Sequence, residues 1–268
     1  MIDFHEYHIV LINSSAGKDS QVMLDEVVRV ADDQKFSRGR LIVAHADLGI
    51  VEWPGTRQLV QDHADHYGLR VEYEKRPQGD LLEHVEQRGK WPSPTQRYCT
   101  SDHKRGQVSK IFTRLVKEQL ETGIDKPVRI LQCFGFRSQE SPARAKKKVF
   151  AHDERMSNTK RHIDAWLPIH TWSVEQVWER INSIDTDHHW AYSRGMTRLS
   201  CRFCIFAPKS QLMLSASQPE NAELFEKYVQ VETKIGHTFK HKESLAEIKE
   251  ALDAGEEVTE EDSGCWNM

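Results

Sequence analysis

The chain is expected to fold as an α/β protein built on a mostly parallel, doubly wound sheet, with a helical extension towards its C-terminal end. Three observations carry that expectation. Four apolar runs, His8–Ile12, Gly39–His45, Leu69–Tyr73 and Pro127–Phe134, have the length and residue types of strands. Stretches with apolar residues at helical spacing separate them, and strands that alternate with helices form parallel sheets. Small or polar residues follow the first, second and fourth runs, the rim where ligands gather in such sheets.

The elements follow in order. After the first strand comes Ser15-Ala16-Gly17-Lys18-Asp19-Ser20, and then Gln21–Ala31 with a helical apolar stripe. The short side chains thus occupy a strand-to-helix turn. The free N–H groups of a first helical turn, and the helix dipole, favour an anion there. Lys18 adds a positive charge, and Ser15 and Ser20 add hydroxyls. The common mononucleotide loop is a different pattern, because it needs a glycine where Ile12 stands and a hydroxyl residue where Asp19 stands.

The second strand ends at Asp47-Leu48-Gly49, and a helix runs from Gly55 or Thr56 to about His66. A further helix spans Asp80 to about Arg88. Gly89–Thr95 breaks the pattern and leads to Arg97-Tyr98-Cys99-Thr100 and Lys104. After the fourth strand stands Gly135-Phe136-Arg137-Ser-Gln-Glu140-Ser141-Pro-Ala-Arg144. Arg137 and Arg144 are fork-shaped donors suited to phosphate. Glu140 holds an arginine or touches a metal, and its i,i+4 pairing with Arg144 on a surface helix is the plainer reading. Asp47 is read equally as a turn-capping aspartate.

Lys146, Lys147, Lys148, Arg155, Lys160 and Arg161 lie in a polar stretch that reads as a solvated, mobile loop. A nucleic-acid or acidic-partner contact is the other reading. Ser173 is an N-cap before the buried stripe Val174, Val177, Trp178 and Ile181. From Ser215 to Ala254 the chain is helical and charged. The organisation expected is an α/β domain over 1–210, a helical extension over 211–254 and an acidic, flexible tail over 255–268.

Composition narrows the classes. The chain has 268 residues and a net charge of −4, so any basic surface must be local. No apolar run approaches the length of about 18 residues that a membrane span needs. The N-terminal residues lack the basic start and apolar core of a secretion signal. The five cysteines are unevenly spaced. That argues for thiol or metal chemistry in a reducing cytoplasm rather than for a disulfide framework. Cys201-x-x-Cys204 brings two thiols within reach of one metal, with no second CxxC to complete a zinc site; His188 and His189 are the nitrogen donors nearby in sequence. Cys99 joins them if the sheet is arranged as expected, and three thiolates suit an iron–sulfur cluster. Cys133, inside a strand, reads as a small buried apolar residue.

Five segments in order, over about residues 8–240, resemble the phosphoadenylyl sulfate reductase-like family of the adenine nucleotide α-hydrolase-like (PP-loop) superfamily. Ser15–Ser20 is similar to its SGGKDS pyrophosphate loop, with Ala16 replacing a glycine. Asp47-x-Gly49 with Pro54 and Thr56 resembles its DTG-x-E-x-P-x-T segment. Arg97-x-Cys99-Thr100 with Lys104 resembles R-x-C-T-x-x-x-K, where the resemblance implies Arg97 and Lys104 as cations for a polyphosphate or adenylyl sulfate, and Gly135–Arg144 resembles G-x-R-x-x-E-S-x-x-R. Pro168–Ile181 is similar to its P-I-x-x-W packing segment. The closest pattern is that of the DNA phosphorothioation sulfurtransferase.

The resemblance implies ATP binding with Mg²⁺, cleavage between the α and β phosphates, and sulfur transfer. It implies a nucleotide site made of Ser15, Ala16, Gly17, Lys18, Asp19, Ser20, Asp47, Arg97, Gly135, Arg137 and Arg144. Lys18, Asp19, Arg137 and Glu140 are its catalytic residues. It also implies a 4Fe–4S cluster on Cys99, Cys201 and Cys204, with the fourth position open or filled by Cys133 or Cys265. Tyr98 stands where the reductases have a second adjacent cysteine, and Cys265 lacks their C-terminal motif. Reduction of adenylyl sulfate or phosphoadenylyl sulfate to sulfite is the alternative, and a non-catalytic nucleotide- or nucleic-acid-binding module is a third reading. The partners implied are a nucleotide, a nucleic-acid or carrier-protein acceptor and an external thiol or sulfur donor. No membrane is implied, and a homodimer in the cytoplasm is expected. Function on these terms requires the loop, the arginines and the thiols to face one cleft.

Overall fold

Apolar strands dictate the frame. The computed structural model describes residues 2–241 and 243–256. A six-stranded sheet is formed by β1 (Ile9–Asn13), β2 (Leu41–Asp47), β3 (Arg70–Lys75), β4 (Val128–Cys133), β5 (Phe150–His152) and β6 (Arg161–Trp166). The strand order is β3-β2-β1-β4-β6-β5. β1 pairs in parallel with β2 and β4, β4 in parallel with β6, and only the edge strand β5 runs antiparallel. The expected doubly wound parallel sheet is therefore what the chain forms. Ten helices accompany it among the described residues: α1 (Lys18–Asp33), α2 (Thr56–His66), α3 (Leu81–Arg88), α4 (Tyr98–Thr100), α5 (Gly106–Glu121), α6 (Pro142–Ala145), α7 (Val174–Ser183), α8 (Lys209–Ala216), α9 (Ala222–Ile235) and α10 (Leu245–Asp253). None is long and apolar enough to cross a membrane.

The chain gathers into two compact units. The first comprises the chain up to Ala46, Gly55–Glu74 and Gly106–His189; the second comprises Asp47–Pro54, Lys75–Arg105 and the chain from Trp190 onward.

In the first unit both sheet faces are buried, as parallel strands require. Ile9, Leu11, Ile130 and Ile163 point to one face and pack with Ile111, Phe112 and Leu115 of α5. By strand alternation Val10, Ile12, Val43 and Leu131 point to the other. There α1 packs against β1 and α7. The chain leaves β1 towards β2 on one side and later returns to β4 on the other. The switch point of the topology thus lies between the carboxyl ends of β1 and β4, where open α/β sheets bind ligands. Asn13 Nδ2 donates to the Cys133 carbonyl at 2.9 Å and ties those two ends together.

The basic stretch departs from the solvated loop expected of it. Lys146, Lys147 and Lys148 are exposed, but Phe150–His152 forms the edge strand and Arg161 opens β6. Arg161 is buried: its guanidinium donates to the Met156 carbonyl at 2.7 Å and to Ser109 Oγ at 3.1 Å. Six strand residues containing Arg, His and Asp show too little apolar periodicity to announce a strand. Pairing with β4 overrides that weak local signal.

The second unit is mostly helical. Leu81 and Val85 of α3, Leu212 and Met213 of α8, Phe225 and Tyr228 of α9, and Leu245 and Ile248 of α10 share one core with Trp91, Phe203 and Phe206. Trp91 stacks on Tyr228 with ring centroids 5.3 Å apart. The buried Glu232 carboxylate accepts from the N–H groups of Phe239 and Leu245 at 2.6 and 2.8 Å and so satisfies the start of α10. Residues 257–268 of the expected tail, with Cys265, lie outside the described residues.

Candidate functional site

In the first unit the polar turn after β1 is closed by its own side chains. Ser15 N–H donates to Ser20 Oγ at 3.3 Å, Ala16 N–H to Ser14 Oγ at 3.3 Å, and Ser20 Oγ to the Gly17 carbonyl at 2.8 Å. Ser20 therefore shapes the loop, while Ser15 is exposed. Ala16 holds φ at 55°, the left-handed region that glycine enters freely. Gly17 caps α1 from an extended conformation, and the first-turn N–H groups follow at Lys18, Asp19 and Ser20.

Charge concentrates at the same turn. The Lys18 side chain is only 3% exposed and its Nζ lies 3.4 Å from Asp19 Oδ2. Arg137, also buried, approaches from beyond β4: its Nε donates to Asp19 Oδ1 at 2.5 Å. One carboxylate thus holds two cations that stand 119 positions apart in the chain, and this keeps both oriented in a site of restricted water access. The approach depends on Gly135. A Cβ there would meet the Asp19 carbonyl oxygen at 2.6 Å, well inside van der Waals contact.

Glu140 is the second organiser. Its carboxylate accepts from the Arg137 N–H at 2.8 Å and pairs with the Arg144 guanidinium. The i,i+4 pair with Arg144 is the plainer of the contacts expected for Glu140. Arg144 also lies over the Phe136 ring, 4.4 Å from its centroid. His189 is 3.4 Å from Thr56 Oγ1 and His188 packs edge-on against Trp178. Cys133 is fully buried in β4, and burial pushes its thiol pKa up.

In the second unit, three thiols meet on one core. Cys99, Cys201 and Cys204 all pack against the cluster that contains Tyr98, Phe203, Phe206 and Tyr228. The Cys201-x-x-Cys204 turn is pinned from both sides. Arg202 N–H donates to the Val51 carbonyl at 2.9 Å, its Nε to the Glu52 carbonyl at 2.6 Å, and Ser215 Oγ to the Arg202 carbonyl at 2.7 Å. Cys99 sits in α4, which runs into a π-helical turn over Ser101–Arg105, a geometry common at functional sites. Tyr98 anchors it by donating to the Lys90 carbonyl at 2.6 Å, and His84 packs on the Tyr98 ring. Burial first, and then the charge of Arg76, push His103 down to about 4, so its 3.0 Å contact with His84 joins neutral imidazoles near pH 7.

The thiols respond to each other. Burial pushes Cys201 up to about 12, Cys204 and Cys99 add to the rise, and the Lys104 ammonium opposes it. Cys99 is raised by burial in the same way. Desolvation works against charging Lys104, but Cys201, Cys204, Cys99 and Glu52 outweigh it and hold its pKa above the ordinary lysine value. Lys104, expected on the phosphates, is thus an electrostatic partner of the thiols. The phenol of Tyr228, fully buried beside Cys201 and Cys204, has no hydrogen-bond partner among the described residues. Three thiols on one core with a cation in their field have the chemistry that an anionic sulfur-rich group needs. Of the other expected residues, Asp47 accepts from the Gly49 N–H at 2.8 Å in a turn, and Arg97 lies over the Phe206 ring at 4.6 Å.

Residues 9–207 match the family model of the phosphoadenosine phosphosulfate reductase domain. An uncharacterised 37.8 kDa protein from the gpa 5′ region of Escherichia phage 186 is 25% identical over 201 residues, covering 75% of this chain and 55% of that protein. The chain therefore spans about half the length of that relative. Among solved structures, the chain is similar to a phosphoadenylyl-sulfate reductase from Candida auris in its phosphate complex. That match has 18% identity, 72% and 80% coverage of the two chains and a TM-score of 0.47. It is also similar to an FMN adenylyltransferase from Candida glabrata bound to FAD and inorganic pyrophosphate, with 12% identity, 74% and 58% coverage and a TM-score of 0.49.

Two outcomes are expected. Ala16→Gly should stabilise the protein by up to about 1 kcal/mol in urea unfolding, because it relieves a left-handed alanine at some cost in unfolded-state entropy; a loss larger than that would mean the methyl group is needed for packing. Lys104→Met removes the charge that opposes the thiol shift. Alkylation of Cys201 by iodoacetamide at pH 9 in reduced, metal-free protein should slow by about three- to tenfold. An unchanged rate would place Lys104 outside the thiols' field.

Proposed function

This chain belongs to the phosphoadenosine phosphosulfate reductase domain family, and from that premise we propose that it is an ATP-dependent adenylating enzyme that activates an acceptor for sulfur transfer. The observation that carries the proposal is the Lys18–Asp19–Arg137 arrangement at the switch point of the sheet, beside the first turn of α1. Two buried cations and a row of backbone N–H groups suit a polyphosphate better than a single small anion. ATP is the substrate read for it, with Mg²⁺ on the leaving pyrophosphate.

An acceptor oxygen attacks the α-phosphorus, the bond to the β-phosphate oxygen breaks, and pyrophosphate departs with that electron pair. Lys18 and Arg137 stabilise the charge that builds on the phosphates. Asp19 keeps both cations aimed, and Glu140 keeps Arg137 and Arg144 in register. A hydrosulfide supplied by an external donor then attacks the activated centre, the bond to the adenylated oxygen breaks, and AMP departs with that electron pair. A nucleic acid or a carrier protein is the acceptor class this reading favours, on the pattern of the phosphorothioation enzyme. Cys99, Cys201 and Cys204 would hold an iron–sulfur cluster, which when bound supplies iron positions that can carry inorganic sulfur. Lys104 offsets the negative charge of the thiolates, and Tyr228 offers a hydrogen bond.

A second reading is reduction of adenylyl sulfate or phosphoadenylyl sulfate to sulfite by an external thiol. The name of the matched family favours it. The same loop would then bind a ready-made sulfate ester.

Turnover separates the readings. AMP and pyrophosphate formed from ATP with an acceptor support adenylation, and Lys18→Ala should lower that rate by about 10²–10³-fold. Sulfite from adenylyl sulfate would replace the first reading with the second. Nucleotide binding with neither product would leave a non-catalytic module. For the cluster, anaerobically purified protein is expected to be brown and to contain iron, and Cys201→Ser is expected to bleach it. A colourless, iron-free protein would remove the cluster from the proposal.

A further inference from the structure

In the first unit a separate set of side chains meets on the antiparallel edge of the sheet. His162 and Asp164 stand two residues apart on β6 and therefore on one face. His152 lies directly opposite Asp164 on β5, so the cross-strand pair brings it to the same face. His152 Nδ1 and His162 Nε2 both lie 3.1 Å from Asp164 Oδ1. Among the described residues, this trio is the group of histidine, cysteine and acidic side chains whose ligand atoms all fall within 4.8 Å of one another. The imidazole rings tilt past each other with centroids 4.3 Å apart.

Two imidazole nitrogens converging from different strands on one carboxylate oxygen is the donor set of a first-row transition ion. Bonds of about 2.0–2.1 Å to such an ion place neighbouring tetrahedral ligands about 3.3 Å apart, close to the two nitrogen–oxygen separations found here. Support for the ligands is already in place. The Tyr7 phenol donates to Asp164 Oδ2 at 2.9 Å, an oxygen that His162 Nε2 also meets at 3.1 Å, while Oδ1 is the oxygen that both imidazoles share. A hydrogen bond on the far oxygen of a ligating carboxylate is the usual outer-shell arrangement. Asp164 is buried, and His152, Tyr7 and His162 all face its carboxylate. Arg129 lies over the Tyr7 ring and pairs with Glu6. His152 and His162 side chains are 39% and 37% exposed, so an ion can enter and keep water as its remaining ligand.

We propose that His152, His162 and Asp164 form a binding site for one divalent transition-metal ion of the zinc class on the β5–β6 edge, independent of the nucleotide and thiol chemistry. Two nitrogens and one oxygen select zinc, nickel, copper or iron over magnesium or calcium, which prefer all-oxygen shells. Bound there, the ion crosslinks the edge strand to β6 and, through Tyr7, to the segment that enters β1.

The test uses the tag-free full chain and cobalt(II) as the probe, with His152→Ala and His162→Gln as variants. The difference spectrum between the wild type and each variant is expected to show weak visible bands of a nitrogen–oxygen site, without the intense near-ultraviolet band of a cobalt–thiolate bond. That absence separates this site from Cys99, Cys201 and Cys204. Zinc should displace the cobalt stoichiometrically, and each variant should bind at least tenfold more weakly. Zinc should also raise the melting temperature of the wild type and leave that of His152→Ala unchanged. Should His152→Ala fail to fold, His162→Gln retains a donor for Asp164 and supplies the comparison. Superimposable cobalt spectra for the wild type and the variant, or a difference spectrum carrying the thiolate band, would overturn the proposal.

Discussion

The carboxylate of Asp19 lies between two buried cations, Lys18 on its own helix and Arg137 from beyond β4. Neither cation would tolerate that depth unpaired, because a buried charge without a partner costs several kcal/mol. The pairing therefore sets constraints around it. β1 and β4 must be adjacent and parallel. The residue that follows β4 must pass so close to α1 that only a glycine fits. Glu140 must turn the backbone after Gly135 so that the guanidinium points back at the loop. An anion approaching the first turn of α1 meets donors that are already aimed, so little ordering is left to be done on binding.

The second unit solves a different problem. Thiols that are to act together must be held close, yet their anions repel and burial opposes ionisation. Here an aromatic core supplies the rigid floor under Cys99, Cys201 and Cys204, and Lys104 supplies the opposing charge. The CxxC turn is strapped through Arg202 to the segment after β2 and through Ser215 to α8. Segments well separated in the chain are thereby committed to one thiol neighbourhood, and the buried Tyr228 hydroxyl beside it has no hydrogen-bond partner among the described residues.

Much of this was legible in the residues. The βα alternation, the polar turn after the first strand and the Gly135–Arg144 segment each report local physics: strand periodicity, helix-terminus geometry and the need for a side-chain-free backbone. Other features were not. Ser20 reads as a phosphate donor but spends its hydroxyl on the Gly17 carbonyl. Lys104 reads as a phosphate cation but answers to the thiols. Both side chains have two chemically reasonable partners, and only packing chooses. β5 and β6 do not announce themselves as strands, because Arg161, His162 and Asp164 break the apolar pattern; Arg161 and Asp164 are satisfied by Ser109, Met156, Tyr7 and His152, none of which is a neighbour on the same strand. A buried aspartate between Ile163 and Ala165 was the one local sign that something polar had to meet it.

By itself, then, the order of residues determined the class of fold, the polar turn before the first helix and the CxxC pair, because each follows from short-range periodicity or from spacing along the chain. The tertiary structure alone decided which charges pair and that three distant thiols share one floor. It also placed two histidines and an aspartate together across the β5–β6 pair. The charge pairing and the thiol floor rest on contacts between residues about a hundred positions apart in the chain. Such contacts depend on strand order and on burial, and neither is written in any local window of the chain.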